Sequence, residues 1–192
     1  MSTEDTANGF VAPEIVVSHF HIRDGDMVAD FGAGSGYFLS ALSKRVGNGR
    51  VYACEIQKGL VEKIGEQARR LGLSNVHPLW CDLEEPNGIK IKDATIDIGI
   101  LANTFFQIED KTAALGEMGR TLRSGGKMIV LDWTDSFNGM GPAPQHVITE
   151  AESTTLFEAN NYILEQTFPA GSHHYGLVFR KVWNFVLLNS LW

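Results

Sequence analysis

Residues 30–36, Asp-Phe-Gly-Ala-Gly-Ser-Gly, set a carboxylate just ahead of three glycines at alternate positions. Glycines spaced in this way suit a turn that brings backbone N–H groups up to a ligand, because any Cβ would hold the ligand away. Two phosphate-binding loops are excluded by residue type. A P-loop closes on Gly-Lys-Ser/Thr, which does not occur here, and a dinucleotide loop needs glycine where Tyr37 stands. Asp30 would repel a pyrophosphate and attract an ammonium. Glu55 supplies a second carboxylate about twenty residues beyond the glycines, where such folds place a ribose-binding acid. Its two oxygens can accept from both ribose hydroxyls, a geometry that neither Asn nor Ser offers. The alternative role for Glu55 is a helix N-terminal charge, worth about a few tenths of a kcal/mol.

The elements that must hold these groups follow from periodicity. Met27, Val28, Ala29 and Phe31 read as a short buried strand, and from Tyr37 onward Leu39, Leu42 and Val46 recur at helical spacing. Strand, glycine turn and helix open a βαβ unit. Residues 50–55 form a second strand ending on Glu55. Leu60, Val61, Ile64, Ala68 and Leu71 then share a helical face, and Gly72 stands at the C′ position. Residues 75–80 and 95–101 give two further strands. A helix over about residues 109–122 ends in a turn at 123–126, before a strand over 127–133. Ser136 to Pro144 is a Gly- and Pro-rich loop. Thr149-Glu150-Ala151-Glu152 is a capping box opening another helix, and residues 162–168 and 175–182 close the series as a strand pair.

S-adenosylmethionine suits the glycine turn, since it has no phosphate, an amino-acid end and a sulfonium cation. The acidic residue leading into G-x-G-x-G resembles the first motif of the class I S-adenosylmethionine-dependent methyltransferases, and the resemblance covers most of residues 13–182. It implies a three-layer α/β Rossmann-like fold with a seven-stranded mixed sheet and a C-terminal antiparallel pair. The implied cofactor contacts are Asp30, Gly32, Ala33, Gly34, Gly36 and Tyr37 at the loop, and Glu55 at the ribose. Asp82 would accept from the adenine amine, with Ile56 and Leu83 on the ring faces. Ala102 and Asn103 leave the carboxyl edge of the sheet, where donor and acceptor should meet. Asp97 resembles an acid of the family's fourth-strand motif. Residues 123–126 resemble the family's Leu-Lys-Pro-Gly-Gly, with Ser124 in place of proline. A short leading helix at residues 13–20 would close over the cofactor, with Phe10 and Val11 as possible contacts beside a plain packing role.

Methyl transfer from a sulfonium is an in-line displacement at carbon, so alignment and exclusion of water can supply most of the catalysis. A base helps where the acceptor is an oxygen or a protonated amine. His173, His174 and Tyr175 in the late turn are the candidates, with His146 beyond the Gly/Pro loop; a solvated or structural role is the alternative for each. Phe106, Gln107 and Trp133 are candidate acceptor contacts, and Phe105 and Phe137 extend an aromatic lining. The Asn/Asp-Pro-Pro-Tyr/Phe motif of amino-methylating nucleic-acid enzymes is absent from Ala-Asn-Thr-Phe-Phe at 102–106. Arsenite methyltransferases use more cysteines than Cys54 and Cys81 supply, and the upstream substrate motif of isoaspartyl-protein methyltransferases is not evident. Small-molecule enzymes like the quinone-ring methyltransferases are the resembling branch that remains. The readings of a different class are a cofactor-binding or regulatory protein without turnover, and a protein methyltransferase.

The 192 residues suit one domain with a sizeable core, preceded by a loose segment at 1–12 and followed by an apolar tail at 183–192. That tail reads as a strand extension, a self-association patch making a homodimer, or a dispensable segment. A net charge of -7 with scattered Lys and Arg argues against nucleic acid as the main partner. Two cysteines suffice for neither a disulfide framework nor a cysteine metal site, and no metal is expected. With a polar start and no apolar run of membrane-spanning length, a cytoplasmic protein is expected.

Overall fold

The computed structural model describes residues 12–137, 139 and 141–182. The apolar tail, Phe10 and Val11 lie outside them. A short helix α1 (Pro13–Ser18) precedes strand β1 (Met27–Phe31), and the chain then alternates through α2 (Leu39–Val46), β2 (Arg50–Glu55), α3 (Lys58–Leu71) and β3 (Val76–Trp80). After a long loop come β4 (Ile96–Ala102), a 3-10 turn at Phe105–Gln107, α4 (Lys111–Thr121) and β5 (Leu122–Trp133). A second 3-10 turn at Pro144–His146, α5 (Glu150–Ala159), β6 (Tyr162–Pro169) and β7 (His174–Lys181) complete the chain.

The strands form one seven-stranded sheet in the order β3-β2-β1-β4-β5-β7-β6. The first five run parallel, and β7 enters antiparallel between β5 and β6. The central strands are buried on both faces, as parallel strands under helices must be. Val28, Val51, Ile98, Ile100 and Ile129 pack on one side of the sheet, with α1, α2 and α3. Phe31, Leu101, Met128, Val130 and Phe157 pack on the other, with α4 and α5. Pro78 sits in β3, an edge strand, where its missing N–H interrupts no ladder.

The helix ends follow local chemistry. Gly72 adopts φ +67 and closes α3 through a hydrogen bond from the Leu73 N–H to the Ala68 carbonyl (2.9 Å). The Asp110 carboxylate caps α4 by accepting from the Ala113 N–H (2.9 Å), and Thr149 with Glu152 forms the expected capping box. Leu71, on the shared face of α3, is 49% exposed. One expectation is corrected. Residues 123–126 belong to β5 as a bulge: Ile96 pairs with Leu122, and the next pair is Ile98 with Lys127. Asp97 lies near the amino-terminal end of β4, where its carboxylate accepts from the Met27 N–H (2.8 Å) and pairs with Arg123.

Candidate active site

The order of the strands reverses between β1 and β4, which run parallel: β2 and β3 build out on one side of β1, and β4 lies on its other side. Loops leaving the carboxyl ends of these strands therefore part and leave a crevice. A cavity of about 640 Å³ occupies it.

The glycine loop forms one wall. Gly32, Gly34 and Gly36 all have positive φ (+79, +54 and +82). The N–H groups of Gly32 and Ala33 both donate to the Cys54 carbonyl (2.9 Å each), which pins the loop to β2. A Cβ on Gly32 would fall 2.5 Å from Thr104 Oγ1, so this position admits only glycine without movement. The Gly34 N–H donates to Glu55 Oε2 (3.0 Å), and the Gln57 N–H at the start of α3 donates to Oε1 (2.9 Å). Glu55 thus joins the loop to the helix N-terminus. Its alternative role as a helix-end charge is realised, on the same side chain that faces the cavity.

Eleven of the twelve expected cofactor residues line this cavity; Gly36 does not. Gly36 is a packing position, since a Cβ there would lie 2.6 Å from Leu39 Cδ1. Ile56 and Tyr37 stand at the mouth, 53% and 45% exposed, and the Tyr37 ring meets that of Phe38 edge-on at 5.2 Å. The Trp80 indole N–H donates to the Ile56 carbonyl (2.7 Å) and fixes that corner. Sequence reasoning missed Cys54, Gln57, Leu60, Cys81, Glu84, Thr104 and Ile108, which also line the space. No motif marks them: Cys54, Gln57, Cys81, Glu84 and Thr104 come from strand ends or the loops just beyond them, Leu60 from the first turn of α3, and Ile108 from the residue after the 3-10 turn.

The electrostatics of the lining are one-sided. Asp30, Glu55, Asp82 and Glu84 contribute four carboxylates, and no Lys or Arg among the described residues faces them. Asp30 is 2% exposed; burial and the neighbouring Glu55 push its carboxyl up to about 7. No hydrogen bond or ion pair reaches it among the described residues. The Asn103 side-chain carbonyl is likewise buried without a hydrogen-bond partner among them, and the residue is held at φ +52. Two acceptors awaiting a donor, in a crevice rich in carboxylates, fit an ammonium and reject a phosphate. The residues present therefore fit S-adenosylmethionine.

The acceptor and base candidates are more dispersed. Gln107 lines the cofactor cavity, whereas Phe106, one residue earlier on the same 3-10 turn, lines a neighbouring cavity of about 630 Å³ with His146, Lys111 and Leu156. Trp133 lines neither and is buried, its ring 4.2 Å from that of His174. Burial, with His173 beside it, pushes the His174 imidazole down to about 4. Tyr175 is buried and its phenol is pushed up, first by burial and then by Asp132. His173 is the more open of the pair: its Nδ1 lies 2.9 Å from Asp135 Oδ1, and its ring stacks 3.8 Å from Phe137. Asp132, not anticipated from sequence, ties β5 to the 3-10 turn by accepting from the Phe106 N–H (3.2 Å) and the Trp133 N–H (2.9 Å). Burial pushes its carboxyl up to about 6.

Parallel sheet, reversal crevice and glycine loop with its following acid define a class I S-adenosylmethionine-dependent methyltransferase fold. Comparison with known proteins agrees. Residues 28–126 match the family described as methyltransferase domain, and the chain belongs to that family. The ubiquinone/menaquinone biosynthesis C-methyltransferase UbiE of Haemophilus ducreyi is 27% identical over 147 residues, covering 69% of this chain and 56% of that protein. UbiE of Pasteurella multocida is 28% identical over the same length, covering 69% and 54%. The chain thus spans about half the length of the curated relatives it matches. A crystal structure of a SAM-dependent methyltransferase from Aquifex aeolicus superposes with a TM-score of 0.84 at 29% identity, covering 93% of this chain and 95% of that one. That protein is a SAM-dependent enzyme, and S-adenosylmethionine is also the ligand whose charges the crevice of this chain fits.

Proposed function

We propose that this protein transfers the methyl group of S-adenosylmethionine to a small-molecule acceptor. The observation that carries the reading is the crevice over β1, β2 and β4: among the described residues four carboxylates and no Lys or Arg line it, Asp30 receives no hydrogen bond, and the Asn103 side-chain carbonyl is buried without a partner. Bound there, S-adenosylmethionine supplies a methyl group already activated for displacement. Asp30 and Asn103 hold its ammonium end against the glycine loop, Glu55 accepts from the ribose hydroxyls, and Asp82 accepts from the adenine amine. Ile56 and Leu83 cover the faces of the base, which removes the exposed apolar surface at the mouth. Catalysis then rests on orientation and on keeping water out.

The acceptor approaches from the β4–β5 side, past Gln107 and Phe106. The resemblance to the quinone C-methyltransferases supports an unsaturated or aromatic ring as its class, and the acidic surface supports a small molecule over nucleic acid. No helix among the described residues is long and apolar enough to cross a membrane. We place the protein in the cytoplasm, a reading supported by two free cysteines. Titration calorimetry with S-adenosylmethionine and S-adenosylhomocysteine tests the cofactor step, and absence of heat from both would end the reading. Mass spectrometry of products across quinols, phenols, amines and thiols tests transfer. Binding without any product would favour a cofactor-binding protein without turnover.

A further inference from the structure

The chain's two cysteines lie far apart in sequence, and the fold sets them side by side. Cys54 is the penultimate residue of β2 and pairs with Leu79 of β3. Cys81 follows two residues later, so both side chains project from the same face of the sheet. The Cys81 N–H donates to the Glu55 carbonyl (3.1 Å), which holds Cys81 against the end of β2, diagonally across from Cys54. Both are free and buried from bulk solvent, and both line the cofactor cavity. Each directly precedes a carboxylate assigned to the cofactor: Glu55 after Cys54, Asp82 after Cys81.

We propose that Cys54 and Cys81 form an oxidation-sensitive pair that closes to an intramolecular disulfide in the cofactor-free protein and draws Glu55 and Asp82 out of binding position. The proposal rests on the assignment of those two carboxylates to the cofactor. Cys81 is the attacking thiol. The hydrogen bond from Cys54 and the nearby Lys90 hold its thiol below the usual range, while Cys54 is pushed up. With a hydroperoxide as oxidant, the Cys81 thiolate takes the distal oxygen: an S–O bond forms, the O–O bond breaks, and hydroxide leaves. Cys54 then attacks the Cys81 sulfur, forming S–S and breaking S–O, and its proton leaves with the departing oxygen as water. In total two thiols lose two electrons and one hydrogen peroxide becomes two waters. Cys54 needs no access to solvent, since its partner is already adjacent.

Geometry supplies the consequence. On regular neighbouring strands, a two-residue offset puts Cα atoms about 8 Å apart, beyond the roughly 4.4–6.8 Å that a disulfide spans. Closure therefore has to move the strand ends that carry Glu55 and Asp82. A bound cofactor fills the cavity through which peroxide reaches Cys81 and so protects the pair.

The test is intact-mass and peptide-mapping mass spectrometry of hydrogen peroxide-treated protein, with and without S-adenosylmethionine, followed by calorimetry of cofactor binding before treatment, after it, and after reduction. The expected result is a Cys54–Cys81 disulfide formed only without cofactor, an affinity at least about tenfold weaker, and recovery on reduction. In Cys81→Ala the ratio of treated to untreated affinity stays near one. In Cys54→Ala dimedone traps a sulfenic acid at Cys81. Failure to form the disulfide, formation with unchanged affinity, or the same loss in Cys81→Ala would each overturn the proposal. The reduced protein tests the cofactor assignment independently, since binding there stands whatever peroxide does.

Discussion

Cofactor affinity should rise with pH through neutrality, and Asp30 is the cause. Its carboxyl titrates at about 7 in the cofactor-free protein because it is buried beside Glu55 with no donor from the described residues. The cationic cofactor binds the carboxylate, so below this pH a proton has to leave first. With a single site at that value, affinity is about tenfold weaker at pH 6 than at pH 8 and nearly flat above pH 8. The same proton appears as release on binding at pH 6, measured by calorimetry in two buffers of different ionisation enthalpy. Stability moves the opposite way. Asp30 is raised above its unfolded value near 3.9, so its favourable share is whole below that pH and is lost as pH climbs through about 7. Three pH units at 1.36 kcal/mol each cap the loss at about 4 kcal/mol. Asp30→Asn should therefore denature at higher urea than the parent at pH 8 while binding the cofactor about ten- to a hundredfold more weakly, without the pH slope. A parent protein whose affinity is level between pH 6 and 8, or an Asn variant that keeps the slope, would refute the reasoning.

Three further outcomes are expected. Gly32→Ala should cost about 1–3 kcal/mol in urea denaturation and weaken cofactor binding, because the new Cβ meets Thr104 at positive φ; Gly72→Ala, with open space around it, should spare binding. Glu55→Ala removes the acceptor for the Gly34 and Gln57 N–H groups and should lower cofactor affinity at least about tenfold by calorimetry. Arg120→Ala should destabilise by about 3–5 kcal/mol in urea, since it strands the buried Glu117 carboxylate and the Ile89 and Ile91 carbonyls. Cofactor affinity measured well below the denaturation midpoint should stay the same in that variant.

Sequence alone determined the parts of this protein whose physics is local. The glycine turn is legible because strand, φ > 0 positions and helix follow each other within a dozen residues. Glu55 and Asp82 are legible because they stand at strand ends that periodicity locates. The capping box at Thr149 and the αL stop at Gly72 are legible for the same reason. Tertiary structure decided which distant strand ends become neighbours. Only the order β3-β2-β1-β4-β5-β7-β6 brings Thr104 against Gly32, Asp132 under the Phe106 N–H, and Cys54 beside Cys81. It also sends Trp133 into the packing between β5 and β7, and it aims Phe106 and Gln107 into different cavities although they are consecutive. Side-chain alternation and turn preference act over a few residues and can be read along the chain. The reversal between β1 and β4, which opens the crevice, is a property of how five parallel strands are wound, and no residue type encodes it by itself.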